Sequence, residues 1–318
     1  MSNLTTYPVY FLLLGLPGLE SSYVFIAFVF FFVYLISVIG NVTLLVIIRI
    51  DRSLHEPMYI FLCMLSSIDL ALTNTTTPKL LSILWFHSQE IYFEACLVQM
   101  FCIHSFATME SSILLAMAFD RYLAICHPLR YNSLLTKRLI SLIGLSSVGR
   151  GIVMILPLPI LFQRLSLCDH NVIQHSFCDH IAVVKLACSD ATVNSTYGLA
   201  GALLVVAIDL VFIICSYVLI LRAVFNLAST EARSKALSTC ASHFCAMLAF
   251  YGTVVLSSVV QRFGKTVPAY IVILLANIYL MFPPLINPIV YGANTRQIRN
   301  RIKRLFCWSI HDEVQILK

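Results

Sequence analysis

Charge is scarce in this chain. Only 11% of its 318 residues are Asp, Glu, Lys or Arg, 59% are hydrophobic, and the mean hydropathy is +0.89. A soluble domain is about 25% charged and about 45–50% apolar. So little polar surface cannot coat a globule of this size, which excludes a soluble enzyme; the apolar content excludes disorder. No hydrophilic block is long enough to form a separate soluble domain. Lys and Arg are absent before Arg49, so the charged start of a cleavable signal peptide is missing and the first apolar run serves as its own insertion signal. There is no CxxC pair to suggest zinc. HExxH, a P-loop and Gly-x-Ser-x-Gly are also missing, which leaves an intramembrane enzyme without a supporting motif. No internal repeat is visible, against the inverted-repeat transporters. The net charge of +6 does not suggest nucleic acid, because the basic residues fall between apolar runs.

What is present is a set of apolar runs, each near the roughly 20 residues that span a bilayer. Seven qualify: Tyr23–Ile48, Met58–Leu84, Leu97–Ile125, Leu139–Phe162, Tyr197–Leu221, Ala236–Val260 and Ala269–Tyr291. They do not alternate in polarity as β-barrel strands do. The expected fold is an all-α membrane protein, a seven-transmembrane helix bundle occupying 23–292. The fourth run is the weakest, because Arg150 lies inside it.

Basic residues set the orientation. Arg121, Arg130, Lys137 and Arg138 surround one connection, Arg222, Arg233 and Lys235 another, and Arg296, Arg299, Arg301, Lys303 and Arg304 follow the last run. The N-terminus (1–22) is therefore expected outside and the segment 293–318 inside. Asn3-Leu4-Thr5 is a glycosylation acceptor on the outer side, and Asn194-Ser195-Thr196 is a second match. Ile298, Ile302, Leu305 and Phe306 among the basic residues predict a short amphipathic eighth helix on the inner surface. Cys307 beyond it is a palmitoylation candidate or a free thiol. Cys96, Cys168, Cys178 and Cys188 lie on the outer side, the last three in a long loop over about 163–196. Four cysteines in an oxidising space imply two disulfides in one of three pairings. The other cysteines read as small apolar packers.

Specific motifs then appear. Met117-Ala118-Phe119-Asp120-Arg121-Tyr122-Leu123 closes the third run and Asn287-Pro288-Ile289-Val290-Tyr291 the seventh. With seven spans these resemble rhodopsin-like G-protein-coupled receptors. Pro57-Met58-Tyr59, Lys235-Ala236-Leu237-Ser238-Thr239-Cys240-Ala241-Ser242-His243 and Pro283-Pro284-Leu285-Ile286-Asn287-Pro288 resemble the odorant-receptor family. The long outer loop and Phe119 resemble its class I, fish-like branch. The family usually has Tyr at Phe119 and Val at Leu123. Span six lacks the Trp and Pro of most rhodopsin-like receptors and has Phe250-Tyr251-Gly252 instead. Span seven has no Lys, which excludes a retinal-binding opsin.

The resemblance implies pairings Cys96–Cys178 and Cys168–Cys188, an odorant ligand outside and a stimulatory G protein inside that raises cyclic AMP. It implies that Asp120 restrains Arg121 at rest, with Tyr122, Asn287, Pro288, Tyr291, Lys235 and His243 sharing the switch. It implies a plasma-membrane protein of sensory-neuron cilia. No cofactor is expected. Asn41, Asp69, Glu110, Asn277 and Asn287 are costly polar groups inside spans; gathered together they would form a polar network, and in rhodopsin-like receptors the equivalent of Asp69 lines a sodium site.

The pocket is read from helix spacing. Tyr251, Val255, Ser258 and Arg262 fall on one face of span six, and His104, Thr108 and Ser111 on one face of span three. Facing each other they would enclose an apolar pocket with a guanidinium at its top, suited to a short or medium-chain carboxylic acid. Asp209 on span five is a candidate for its floor. Plainer readings stand beside these: Arg262 as an interface anchor, His104 as an interhelical hydrogen bonder, and Ser258 bonded back to its own helix. Two other functions compete: a rhodopsin-like receptor for another small molecule or lipid, and an ion- or proton-coupled transporter using Asp69, Glu110 and Asp209.

Overall fold

The computed structural model describes residues 8–168, 170–226, 229–264, 266–295 and 297–303, without the side chains of 232, 235, 239 and 294. Asn3 and Cys307 lie outside the described residues, as does the side chain of Lys235.

Seven helices are long and apolar enough to cross a membrane. Spans one to three are Tyr23–Ile50, Pro57–Phe86 and Phe93–Cys126. Span four is Lys137–Ile155, continued by Pro157–Phe162. Spans five to seven are Thr192–Phe225, Thr230–Phe263 and Ala269–Asn294. Span three is central and packs on spans two, four, five and six. Apolar side chains crowd the lipid-facing surface, including Phe25, Phe32, Val153 and Phe212. Such a surface is stable only in hydrocarbon.

The end carrying the disulfides, the expected outer end, is roofed by a small sheet. Strand β1 (Tyr10–Leu13) pairs antiparallel with β2 (Glu90–Tyr92) and parallel with β3 (Val172–Ile173). Phe11, Leu13 and Leu16 of this N-terminal strap are fully buried. Cys96 is joined to Cys178 and Cys168 to Cys188, as the resemblance implied. The first bond ties the loop to the top of span three.

At the opposite end, expected inside, residues 297–303 are helical. Ile298 is buried in the main hydrophobic cluster, and Ile302 packs against that cluster. Tyr59 donates to Gln297 Oε1 at 2.6 Å, and Arg301 pairs with Asp51.

Candidate functional site

The outer loop drops a short helix, His180–Val184, against span five. Asp179 caps it, its Oδ2 accepting from the amides of Ile181 at 3.1 Å and Ala182 at 3.4 Å. Burial alone would raise the Asp179 carboxyl, but the imidazoles of His175, His104 and His180 together hold it below its ordinary value. His180 Nε2 lies 2.7 Å from Asn194 Oδ1. An amide oxygen only accepts, so Nε2 is assigned the proton and Nδ1 becomes an acceptor. Burial lowers the His180 pKa, and the nearby Arg262 guanidinium adds to that against the raising effects of Asn194 and Asp179. The ring stands edge-on to His104, with centroids 6.4 Å apart. It reaches span five because residue 198 is glycine: a Cβ there would lie 2.5 Å from His180 Cε1. His104 Nε2 and Asn194 Nδ2 are buried and have no partner among the described residues. A cavity of ≈ 460 Å³ opens beside His180, bounded also by Lys185, Asp190, Thr192 and Ser195.

Several expectations change here. Span five begins at Thr192, so Asn194 lies in its first turn. It is 2% exposed and bonded to His180, which removes it as a glycosylation acceptor. Span six is rotated from the expected stripe. His243, Met247, Phe250, Tyr251 and Ser257 are buried, whereas Val255 and Ser258 are exposed. A four-residue step advances the helix about 40° beyond a full turn. Tyr251 sits at the edge of the buried face, so the next step carries Val255 out of it. Arg262, at the helix end, is part-buried. Thr108 is buried but donates its hydroxyl to His104 O at 2.8 Å within its own helix.

Ser111 belongs to a deeper arrangement. It donates to Asp209 Oδ2 at 2.5 Å, so its oxygen accepts from Tyr251 OH at 2.8 Å. Arg150 Nη1 reaches Asp209 at 2.9 and 3.0 Å and Ser112 Oγ at 3.1 Å. Asp209 is therefore not an open pocket floor; it is the anion of an ion pair. The residue that weakened span four in the sequence is the cation that a buried Asp209 requires. This chain links spans three, four, five and six.

The inner end is closed. Arg121 Nε donates to Asp120 Oδ2 at 2.9 Å, Nη2 binds the same oxygen, and Tyr131 donates to Asp120 Oδ1 at 2.7 Å. His243 Nε2 lies 3.1 Å from Leu114 O and its Nδ1 2.8 Å from Tyr217 OH. A carbonyl only accepts, so Nε2 donates to it and Nδ1 accepts from Tyr217. Span six is thus latched to spans three and five. Tyr122 OH instead meets His127 Nε2 at 3.1 Å. Tyr291 is fully buried, and its hydroxyl has no partner among the described residues.

The expected polar network divides. Asn287 donates to Asp69 Oδ2 at 3.0 Å. Asp69 Oδ1, Asn287 Oδ1 and both oxygens of buried Glu110 meet no donor among the described residues. An all-oxygen set with two carboxyl groups has the chemistry of a hard-cation site and fits sodium. Asn41 does different work. Pro288 has no N–H, which leaves Pro284 O without its helical partner, and Asn41 Nδ2 donates there at 2.9 Å. Asn277 is bound to Ser176 Oγ of the outer loop at 2.7 Å. It lies about 15 Å above Asn287 along span seven, too far to join Asp69.

Comparison with known proteins gives the family to which this seven-span chain belongs. The profile of the family described as "Olfactory receptor" matches residues 30–309. The chain belongs to the olfactory receptor family. Human olfactory receptor 52K1 is 53% identical over 306 residues, covering 96% of this chain and 98% of that one. Human olfactory receptor 51E1 is 50% identical over 302 residues, covering 95% of each. Mouse olfactory receptor 51E2 is 48% identical over 305 residues, covering 96% and 95%. These relatives place the receptor in class I. It is a membrane-embedded G-protein-coupled receptor for small-molecule odorants and not an enzyme.

Four residues of this receptor's sites were missed by sequence reasoning: Arg150, His180, Gly198 and Tyr217. A mid-span Arg together with a mid-span Asp209 was a signal that the two pair. His180 and Gly198 carried no such signal, since one lies in a loop and the other in an apolar run.

Proposed function

We propose that the receptor binds a short or medium-chain carboxylic acid at its outer end and activates a stimulatory G protein, raising cyclic AMP. The reading rests on one observation: Arg262, His104, His180 and Asn194 converge beneath the disulfide-fixed loop, and His104 Nε2 and Asn194 Nδ2 are buried without partners. A carboxylate gives such a group two acceptor oxygens, and a guanidinium binds it bidentately. The alkyl tail points down toward Phe250 and Tyr251, both buried. Pressure on Tyr251 loosens its bond to Ser111 and turns span six. The turn breaks the His243–Leu114 latch, and the inner end moves outward to free Arg121 for the G protein. Sodium held by Asp69, Glu110 and Asn287 would stabilise the closed state. The N-terminus lies outside, the 297–303 helix lies on the inner membrane surface, and the receptor works in the plasma membrane of sensory-neuron cilia.

The test is a cyclic AMP dose–response in cells, with linear carboxylic acids beside matched alcohols and amines and with Arg262→Ala in parallel. Acids alone should activate, and Arg262→Ala should abolish the response at equal surface expression. Activation by alcohols or amines with Arg262→Ala silent would return Arg262 to an interface anchor.

A further inference from the structure

Arg150 has more hydrogens than the receptor uses. It lies ~20 Å along span four from Lys137 and ~18 Å from Phe162, near the membrane mid-plane. Its Nη1 supplies the bonds to Asp209 and Ser112. Its Nε–H and Nη2 hydrogens meet no acceptor among the described residues, yet a quarter of the side chain is exposed, at 25%. Spans four and five both pack along span three but hardly on each other at this depth. Arg150 therefore bridges the floor of a cleft that opens to lipid. The walls are apolar, with Val153 on one side and Ile208 and Phe212 on the other all exposed. Hydrocarbon offers these N–H groups nothing, so an acceptor must come from a molecule in the bilayer.

Two arguments fix its chemistry. The Arg150–Asp209 pair is already neutral, so a carboxylate here would place a net negative charge in hydrocarbon. A phospholipid headgroup lies about 15 Å away, beyond half of the ~30 Å core. An uncharged acceptor on an apolar chain fits both constraints. We propose that the cleft between spans four and five binds a lipid-soluble carbonyl compound from the bilayer, its oxygen accepting from Nε and Nη2 of Arg150 and its chain lying along Val153, Ile208 and Phe212. This site is separate from the outer acid site and reached by a different route. Because Arg150 also holds Asp209, and Asp209 holds Ser111, occupancy bears on the same connector.

The experiment uses the full-length receptor in nanodiscs and a diazirine-bearing aliphatic ketone as the probe. After irradiation, label should map by peptide mass spectrometry to residues 146–153 and 205–212. Excess 2-decanone should compete it away, and n-decane should not. Arg150→Met should weaken competition about ten-fold, the loss of a hydrogen bond to a charged group. That variant removes the partner of Asp209 and can fail to fold. Ile208→Trp enlarges the span-five wall of the cleft, keeps the ion pair and should abolish labelling of both segments. Label confined to other segments, equal competition by n-decane, or undiminished labelling of Ile208→Trp would each overturn the proposal.

Discussion

Arg150 and Asp209 form an ion pair across spans four and five, with Nη1 2.9 Å from Oδ1, and neither has another ionic partner among the described residues. Asp209 is fully buried. Removing one partner strands the other in a medium of low dielectric, which costs about 3–5 kcal/mol, whereas removing both restores neutrality. Arg150→Leu alone and Asp209→Leu alone should each lower the thermal midpoint and the surface level sharply. The double variant should recover much of the loss. A double variant worse than either single one would show that the pair does more than cancel charge.

Tyr251→Phe deletes the hydroxyl that donates to Ser111 while keeping the ring packed. A neutral hydrogen bond contributes about 1 kcal/mol, so folding should survive. The cyclic AMP response is the informative readout, because the bond joins span six to span three. The amplitude or the basal level should shift about five-fold at unchanged surface expression. No change in either would remove Tyr251 from the transmission path.

Gly198→Ala places a methyl group 2.5 Å from His180 Cε1. The ring must move, and with it the contacts to Asn194 and His104. Agonist potency should fall ten-fold or more, about 1.4 kcal/mol. The neighbouring substitution Gly201→Ala meets open space and should leave potency intact.

The inner lock gives opposite expectations for its two members. Asp120→Asn removes the charge that restrains Arg121 and should raise basal cyclic AMP. Arg121→Ala should abolish agonist signalling at normal surface expression. Full signalling by Arg121→Ala would sink the proposed route to the G protein.

The outer roof should be acid-sensitive. Burial pushes the His175 imidazole down to about 4, with Lys185 lowering it further and Asp179 opposing. Its ring is 3% exposed, and both nitrogens are without partners among the described residues. An ordinary His has a pKa near 6.5, so between about 6.5 and about 4 the unfolded state binds more protons. The stabilisation from neutral His175 is present above that window and is lost as pH falls through it. The full loss is about 3 kcal/mol. Carboxyl Asp179, held low, extends the loss below pH 4. Thermal melts of the receptor should drop across this window, and His175→Phe should flatten the slope.

The spans were legible because an apolar run of bilayer length has few other readings. The Arg121 and Asn287-Pro288 motifs were legible because they sit at fixed depths. The pocket was less so, and span six shows why. Polar spacing proposed a stripe through Val255 and Ser258, but which flank of a helix faces inward is decided by neighbouring helices. A rotation of tens of degrees takes Val255 off the buried face. Arg150 failed to register for a related reason: its meaning lies in a carboxylate 59 residues away. Asn41 was read as one of a set of acids and amides, whereas its partner is a backbone carbonyl orphaned by a proline of span seven.

The strap that roofs the bundle also sets a timetable for biosynthesis. Asn171 bonds Tyr10 O across 161 residues of sequence. At about 5–20 residues per second, β1 waits roughly 10–30 s after its own synthesis for the β3 side of the sheet. During that interval Phe11, Leu13 and Leu16 have no roof to complete. Until the sheet closes these apolar side chains lack their burial partners, which makes completion of the strap a late step in the receptor's maturation.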